Sequence, residues 1–410
     1  MLYRFLKVLV GFGLRIFYRN IAISGLEHIR QDRAQLIASN HPNGFIEPLV
    51  MACFFPKPLN FLVRGDVFEK KWLKPLLEAT YQIPVFRFRD GFSKMKENHA
   101  AMSSSIDVLG KSQNLLIFVE GGTESRKQLR PIQNGISKIA FSAMEKYDDT
   151  TIEILPVGIN FTYPVEFNSE VYVKIGKPIS LESYLLSYKS DRRNGMDALN
   201  TTIYDGMAPN IIKLNSPTSE ALFERVIPFF KNLKPLFPIF NHEFQNIESD
   251  IIIADKINAL VDEQCAELDK CLPHIKDARK YQLNPVDFLT IIKLILGLIP
   301  ALFGMFIYAL PILIANIFTR SKVKQKEFRA SILFVVTMMF ILIELLFIVP
   351  IIFLILSINW YWYLIVIFLG LFLRWYYDLV ATTYFGSFSS TFAKKKQMYK
   401  DEIESILRQS

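Results

Sequence analysis

Three long apolar stretches in the last third of the chain, 288–318, 331–356 and 360–380, constrain its fold more than any other feature. At about 1.5 Å per helical residue the second and third are each long enough to cross a hydrocarbon layer of about 30 Å. A segment in that layer must satisfy its backbone internally, so both are expected to be helices. Trp360, Tyr361, Trp362 and Tyr363 lie between them as an aromatic interface belt. The first stretch carries Pro300 and Pro311, and is too long for one untilted span and too short for two. Basic residues bracket the set: Arg320, Lys322, Lys324, Lys326 and Arg329 in the loop, and Lys394, Lys395, Lys396 and Lys400 in the tail. Positive charge beside a span favours the cytoplasmic side. The expected topology is therefore a membrane re-entrant or spanning segment over 288–319, drawn as a hairpin broken near Pro300. A two-helix transmembrane hairpin over 331–380 and a basic cytoplasmic tail over 381–410 follow.

The remaining chain has a different character. Hydrophobic residues make up 51% of all 410, and the mean hydropathy is +0.24. The excess falls mostly after residue 287. A net charge of +8 suits an anionic partner. Because the cations gather beside the apolar stretches, membrane lipid is the expected partner, and nucleic acid is not. Cys53, Cys265 and Cys271 make no CxxC pattern and read as reduced thiols on the cytosolic side. None of the five histidines has HxxxH or HExxH spacing, so no metal site is expected.

Residues 2–19 are apolar around most of a helical circumference, with Arg4, Lys7, Arg15 and Arg19 in a narrow sector. That is the pattern of an interfacial amphipathic helix over 1–20. Phe17-Tyr18-Arg19-Asn20 supplies no small-residue cleavage site for a signal peptide. From residue 20 to about 178 strand-like segments (35–39, 59–63, 83–86, 114–119, 151–159, 171–175) alternate with helical ones (45–55, 68–79, 93–109, 132–147). Such alternation predicts an α/β fold: a mixed, largely parallel sheet with flanking helices, over residues 21–180. The stretch 181–287 is charged, helical in period and punctuated by prolines, which suggests a helical insertion or linker.

One turn concentrates reactive groups. The apolar run Leu36-Ile37-Ala38-Ser39 ends in Asn40-His41, turns through Pro42-Asn43-Gly44 and enters a helical pattern bearing Glu47. A strand that stops at a turn presents its last residues at the sheet edge. Proton transfer to or from a reacting group needs a positioned side chain that can accept a proton. Histidine can accept a proton near neutrality, so His41 is the candidate base. Glu47 would orient it and stabilise its charged form. Six positions along one helix would put the two side chains about 240° apart, so they meet only if His41 lies in the turn before the helix. Glu120-Gly121-Gly122 follows another apolar strand, and glycines there let backbone N–H groups approach a phosphate. No nucleophilic serine or cysteine occurs in an elbow motif.

Four blocks stand in order: Asn40 to Pro48, Ile83-Pro84-Val85-Phe86-Arg87, Phe118 to Thr123 with Leu129-Arg130-Pro131, and Leu155-Pro156-Val157-Gly158-Ile159. This order resembles the phospholipid/glycerol acyltransferase superfamily. Val157 to Phe161 and Val171 to Ile179 look like its yeast-type glycerol-3-phosphate/dihydroxyacetone-phosphate branch and bacterial relatives. The resemblance implies His41 and Glu47 as the catalytic pair, with Glu47 where the family usually has Asp. It implies acceptor-phosphate binding by Arg87 and by the block Glu120, Gly121 and Gly122. Arg126 and Arg130 stand nearest the family's third-block arginine, and Arg64 and Arg89 are further cationic candidates. The implied activity is transfer of a fatty acyl group from acyl-CoA or acyl carrier protein, as co-substrate and not cofactor, to glycerol 3-phosphate or 1-acylglycerol 3-phosphate. Another lysolipid as acceptor, or a non-catalytic lipid-binding member, are the alternatives. An Ile-, Lys- and Asn-rich composition suggests a bacterial inner-membrane protein with its catalytic domain cytoplasmic.

Overall fold

The computed structural model describes residues 1–86, 92–147, 150–231, 233, 247–385 and 389–408. They divide into two compact units, the first made of residues 1–14, 21–165 and 171–211, the second of 15–20, 166–170 and 212–410.

The first unit is built on an eight-stranded sheet. Its strands are β1 (Asn20–Ser24), β2 (Ala34–Ser39), β3 (Leu59–Arg64), β4 (Gln82–Val85), β5 (Asn114–Phe118), β6 (Ile152–Phe161), β7 (Glu170–Ile175) and β8 (Ile179–Ser180). The order is β1-β7-β6-β2-β5-β3-β4, with β8 also paired to β6. β6, β2, β5, β3 and β4 are mutually parallel, with Leu36 opposite both Leu115 and Ile154, while β7 and β8 run antiparallel to β6. β2 is central and all six of its residues are buried, as expected of a strand covered on both faces. All six expected strands form. β1 and β8 had no sequence signal, being short and completed only by pairing.

The helices Phe92–Gly110 and Gly135–Lys146 bring Leu109, Ile136, Ile139 and Phe141 against Leu36, Leu115, Ile117 and Ile154. The expected helix over 68–79 is instead two short ones, Gly65–Phe68 and Lys74–Ala79. Pro75 begins the second, where its missing N–H costs no hydrogen bond.

The boundary expected at residue 180 moves. Glu182–Ser190 and Arg192–Met207 are core helices of the first unit, not a linker: Leu199, Ile203 and Met207 are fully buried in the same cluster, and Tyr188 stacks on Phe141 at 4.0 Å. At about 1.5–3 kcal/mol per fully buried aliphatic side chain this packing is integral to the domain.

The N-terminal helix, Leu2–Phe17, differs from its expected basic stripe. Its residues in the first unit turn Tyr3 and Lys7 inward, donating to the carbonyls of Ala52 (3.3 Å) and Phe55 (2.6 Å). Leu2, Phe5, Val8 and Phe12 face outward.

In the second unit three helices are long and apolar enough to cross a membrane: Phe288–Lys322, Lys326–Ile355 and Trp362–Ala381. The hairpin expected near Pro300 is not present. Phe288–Lys322 is one helix of 35 residues with Pro300 and Pro311 inside it. Each proline forfeits one intrahelical bond, a loss a packed helical bundle tolerates. Small residues bring it close to Trp362–Ala381: a Cβ added to Gly304 would lie 2.7 Å from the Leu369 carbonyl oxygen, and Gly370 lies under Tyr308. Tyr308 and Tyr376 donate to the carbonyls of Val366 and Leu294, each at 3.0 Å. Nor is the C-terminal segment a free tail. The helix Ser389–Leu407 buries Ile403, Ile406 and Leu407, and its Phe392 and Tyr399 rings pack on Tyr281.

Arg19, Glu170, Asp378, Arg374, Lys231 and Asp250 form a buried ionic cluster in this unit. Arg19 faces Asp378 at 3.4 Å and Glu170 at 3.6 Å, and Lys231 meets Asp250 at 2.6 Å and Glu170 at 3.7 Å. Arg374 donates to the Ile16 carbonyl (2.6 Å) and to Asn168, whose amide donates to Asp378 (3.0 Å).

Candidate active site

The C-terminal ends of β6, β2, β5, β3 and β4 share one edge of the sheet because these strands are parallel. Open parallel sheets bind ligands at that edge. His41 follows β2 there. Beyond it the chain turns at Gly44, whose φ of +57° favours a residue without Cβ, and enters the helix Ile46–Phe54 with Glu47 in its first turn.

The turn brings the expected pair together. His41 Nδ1 lies 3.7 Å from Glu47 Oε2, with Glu47 fully buried and His41 17% exposed. Both of these facing atoms are buried, and neither has a hydrogen-bond partner. A buried polar atom without a partner is costly, so a shift of under about 1 Å that closes the pair to hydrogen-bond length is favoured. Glu47 Oε1 accepts from the Asn43 backbone N–H, which fixes the carboxylate's other end.

The rest of the loop is braced from three sides. Asn40 makes a two-way bridge to β6, its amide donating to the Ile159 carbonyl (2.9 Å) and its oxygen accepting from the Ile159 N–H (2.8 Å). Asn43 donates to the Pro164 carbonyl. Phe118, the last residue of β5, stacks on the imidazole with centroids 4.1 Å apart and planes 16° from parallel. With one ring face covered and Nδ1 aimed at Glu47, Nε2 points away from the carboxylate, where it can take a proton. Asn40 and Phe118 lay inside the quoted motifs, but nothing local signals a partner on another strand.

Glu120 was expected to help bind phosphate. Its carboxylate is buried and accepts from the backbone N–H groups of His41 (3.0 Å) and Arg130 (2.9 Å) and from the Arg130 guanidinium (3.0 Å). An anion repels phosphate, so Glu120 acts here as a brace joining the His41 loop to Arg130. Gly121 adopts φ +69°, a left-handed conformation suited to glycine, and its N–H bonds to the Phe118 carbonyl. The N–H groups of Gly122 and Thr123 have no acceptor among the described residues, which leaves two adjacent donors for an anion.

The arginines are dispersed. Arg130 is engaged by Glu120 and by the Gly122 carbonyl. Arg126 lies 3.8 Å from Glu124, and Arg64 pairs with Asp66 at 2.5 Å in a half-exposed position at the end of β3. Arg87 and Arg89 fall outside the described residues. Cys53 shares a helix with Glu47, but burial pushes its thiol up to about 12 against the opposing pull of Lys7. It is not a thiolate at neutral pH.

Comparisons with known proteins bear on this geometry. Residues 20–160 match the family model described as Acyltransferase. An uncharacterized acyltransferase of Schizosaccharomyces pombe is 28% identical over 116 residues, 28% of this chain and 17% of that protein. Glycerol-3-phosphate O-acyltransferase 1 of Saccharomyces cerevisiae is 32% identical over 83 residues, 20% of this chain and 11% of its own length. The chain thus spans less than a fifth of the curated relatives it matches. Among solved structures, the 1-acyl-sn-glycerophosphate acyltransferase PlsC of Thermotoga maritima aligns with a TM-score of 0.37 and 17% identity, covering 49% of this chain and 78% of that one.

Proposed function

We propose, from the match of residues 20–160 to the Acyltransferase family model, that the chain is a membrane-bound O-acyltransferase. It moves a fatty acyl group from acyl-CoA or acyl carrier protein to a hydroxyl of glycerol 3-phosphate or 1-acylglycerol 3-phosphate in phospholipid biosynthesis. The apolar helices hold it in a membrane, with the first unit on the cytoplasmic side. The observation that carries this reading is the pair of unpartnered facing atoms, His41 Nδ1 and Glu47 Oε2, at the ligand-binding edge of the sheet.

In this mechanism His41 Nε2 removes the proton of the acceptor hydroxyl as its oxygen attacks the thioester carbonyl. Glu47 stabilises the imidazolium that forms. The tetrahedral intermediate collapses by breaking the carbon–sulfur bond, and the departing thiolate takes the proton back from His41. The ester and the free thiol are the products, and no acyl-enzyme is needed. The Gly122 and Thr123 N–H groups, with Arg126 close by in sequence and Arg87 from the second block, supply donors for the acceptor's phosphate.

Purified protein supplied with labelled acyl-CoA or acyl carrier protein and a panel of acceptors tests the reading. Transfer to one of the two glycerophosphates, lost in His41→Ala, supports it. Transfer that survives His41→Ala removes the dyad from the mechanism, and lipid binding without transfer to any acceptor would select a non-catalytic role.

A further inference from the structure

Away from the active site, the first unit leaves large apolar side chains in water in two neighbouring places. On the N-terminal helix Leu2, Phe5, Val8 and Phe12 form an outward stripe, with Phe5 62% and Val8 73% exposed. On the turn and short helix after β3, Trp72 is 76% exposed, and Leu76 and Tyr81 stand out beside it in the chain. Tyr3 joins the two, its ring packed 5.1 Å from that of Tyr81. Lys70, Lys71 and Lys74 surround Trp72 in sequence and are exposed, as is Arg4 on the helix. Glu69 and Glu78 offset part of this charge, Glu78 lying 3.8 Å from Lys74.

We infer that Trp72 is a membrane anchor: it seats in the headgroup layer of an anionic bilayer, so that the first unit meets lipid through its own surface. The chemistry is that of an interface. Indole has an apolar body and one N–H donor, a combination that favours the boundary between hydrocarbon and water. Lysines on flexible stems keep their ammonium groups among anionic headgroups while the aromatic ring sinks. An outward apolar helix beside it extends the same surface. The inference rests on the membrane-bound reading above.

The test uses the full chain in vesicles. One protein keeps Trp72 alone, with Trp360, Trp362 and Trp375 changed to Phe, and a second keeps Trp360 alone. Each is placed in phosphatidylcholine vesicles with brominated acyl chains, with or without phosphatidylglycerol. Trp72 is expected to lose roughly half its emission and shift to the blue, more strongly with the anionic lipid. The triple variant Lys70→Gln, Lys71→Gln, Lys74→Gln should abolish the difference between the two vesicles. Quenching of Trp360 but not of Trp72 would overturn the inference and leave the membrane reading standing. Quenching of neither would remove both. A Trp72 blue shift that grows with protein concentration and ignores bromine would mean that a second copy covers it.

Discussion

Both units bury ionisable side chains, and they do so in opposite ways. In the second unit three cations, Arg19, Arg374 and Lys231, meet three carboxylates, Glu170, Asp250 and Asp378, and Asn168 cross-braces them. In the first unit His41 faces a single carboxylate, Glu47, at 3.7 Å, with its side chain 17% exposed where the parallel strands end. A cluster of matched charges offsets part of the cost of taking charge from water. Burial of charge alone therefore does not mark a candidate site; the balance of the charges and their place at the edge of the sheet do.

That contrast breaks most sharply under two substitutions. His41→Ala should reduce turnover by about 10²–10⁴-fold, the usual worth of a general base, and leave the thermal midpoint in detergent unchanged. Arg374→Met should do the reverse. Leaving Asp378 short of a partner costs about 3–5 kcal/mol of stability, read as a lower midpoint, while turnover per folded molecule holds. If Arg374→Met abolishes transfer without lowering the midpoint, the cluster is not merely structural.

Glu47→Gln comes next. The amide still accepts from Asn43 but no longer carries a charge for the imidazolium, and turnover should fall on the order of 10²-fold or more. Steady-state kinetics across pH would separate this from a folding defect, because circular dichroism should not change. Phe118→Leu removes the ring beneath His41. Aromatic stacking is worth about 0.5–1.5 kcal/mol, so a loss of about 2- to 10-fold in turnover is expected, with substrate KM unaltered.

The smallest effect belongs to Asp250. Burial pushes its carboxyl above the ordinary value of 3.8, against the pull of Lys231. The folded chain thus favours the protonated acid more than the unfolded chain does. Its contribution is fully present below the ordinary value and is lost as pH rises through the higher folded one. Asp250→Asn should accordingly change stability little at neutral pH. Melting curves from about pH 6 down to about pH 4 should show wild type gaining on the variant.

Much of this is legible in the residue order. Apolar runs near residues 36, 60, 116 and 155 read as buried strands because strand and helix periods are local. The turn Pro42-Asn43-Gly44 also reads locally, and with it the possibility that His41 meets Glu47. The role of Glu120 did not: a carboxylate beside glycines says nothing about whether its partner is a phosphate or the His41 amide. The prolines at 300 and 311 suggested a break because the sequence does not display the helix packed alongside. Residues 182–207 looked like a linker since their charged outer faces mask the buried line of Leu199, Ile203 and Met207.

Residue order alone specifies the α/β alternation, the apolar helices and the candidates for a base and its acid. Those depend on residue type and spacing over a few turns of chain. Which partners the buried groups meet is fixed only by the folded chain. Arg19 finds Asp378, and His41 receives Phe118 and Glu120 from β5. Partners so far apart in the chain meet only when the sheet and helices close, and closure is what removes water as the alternative partner.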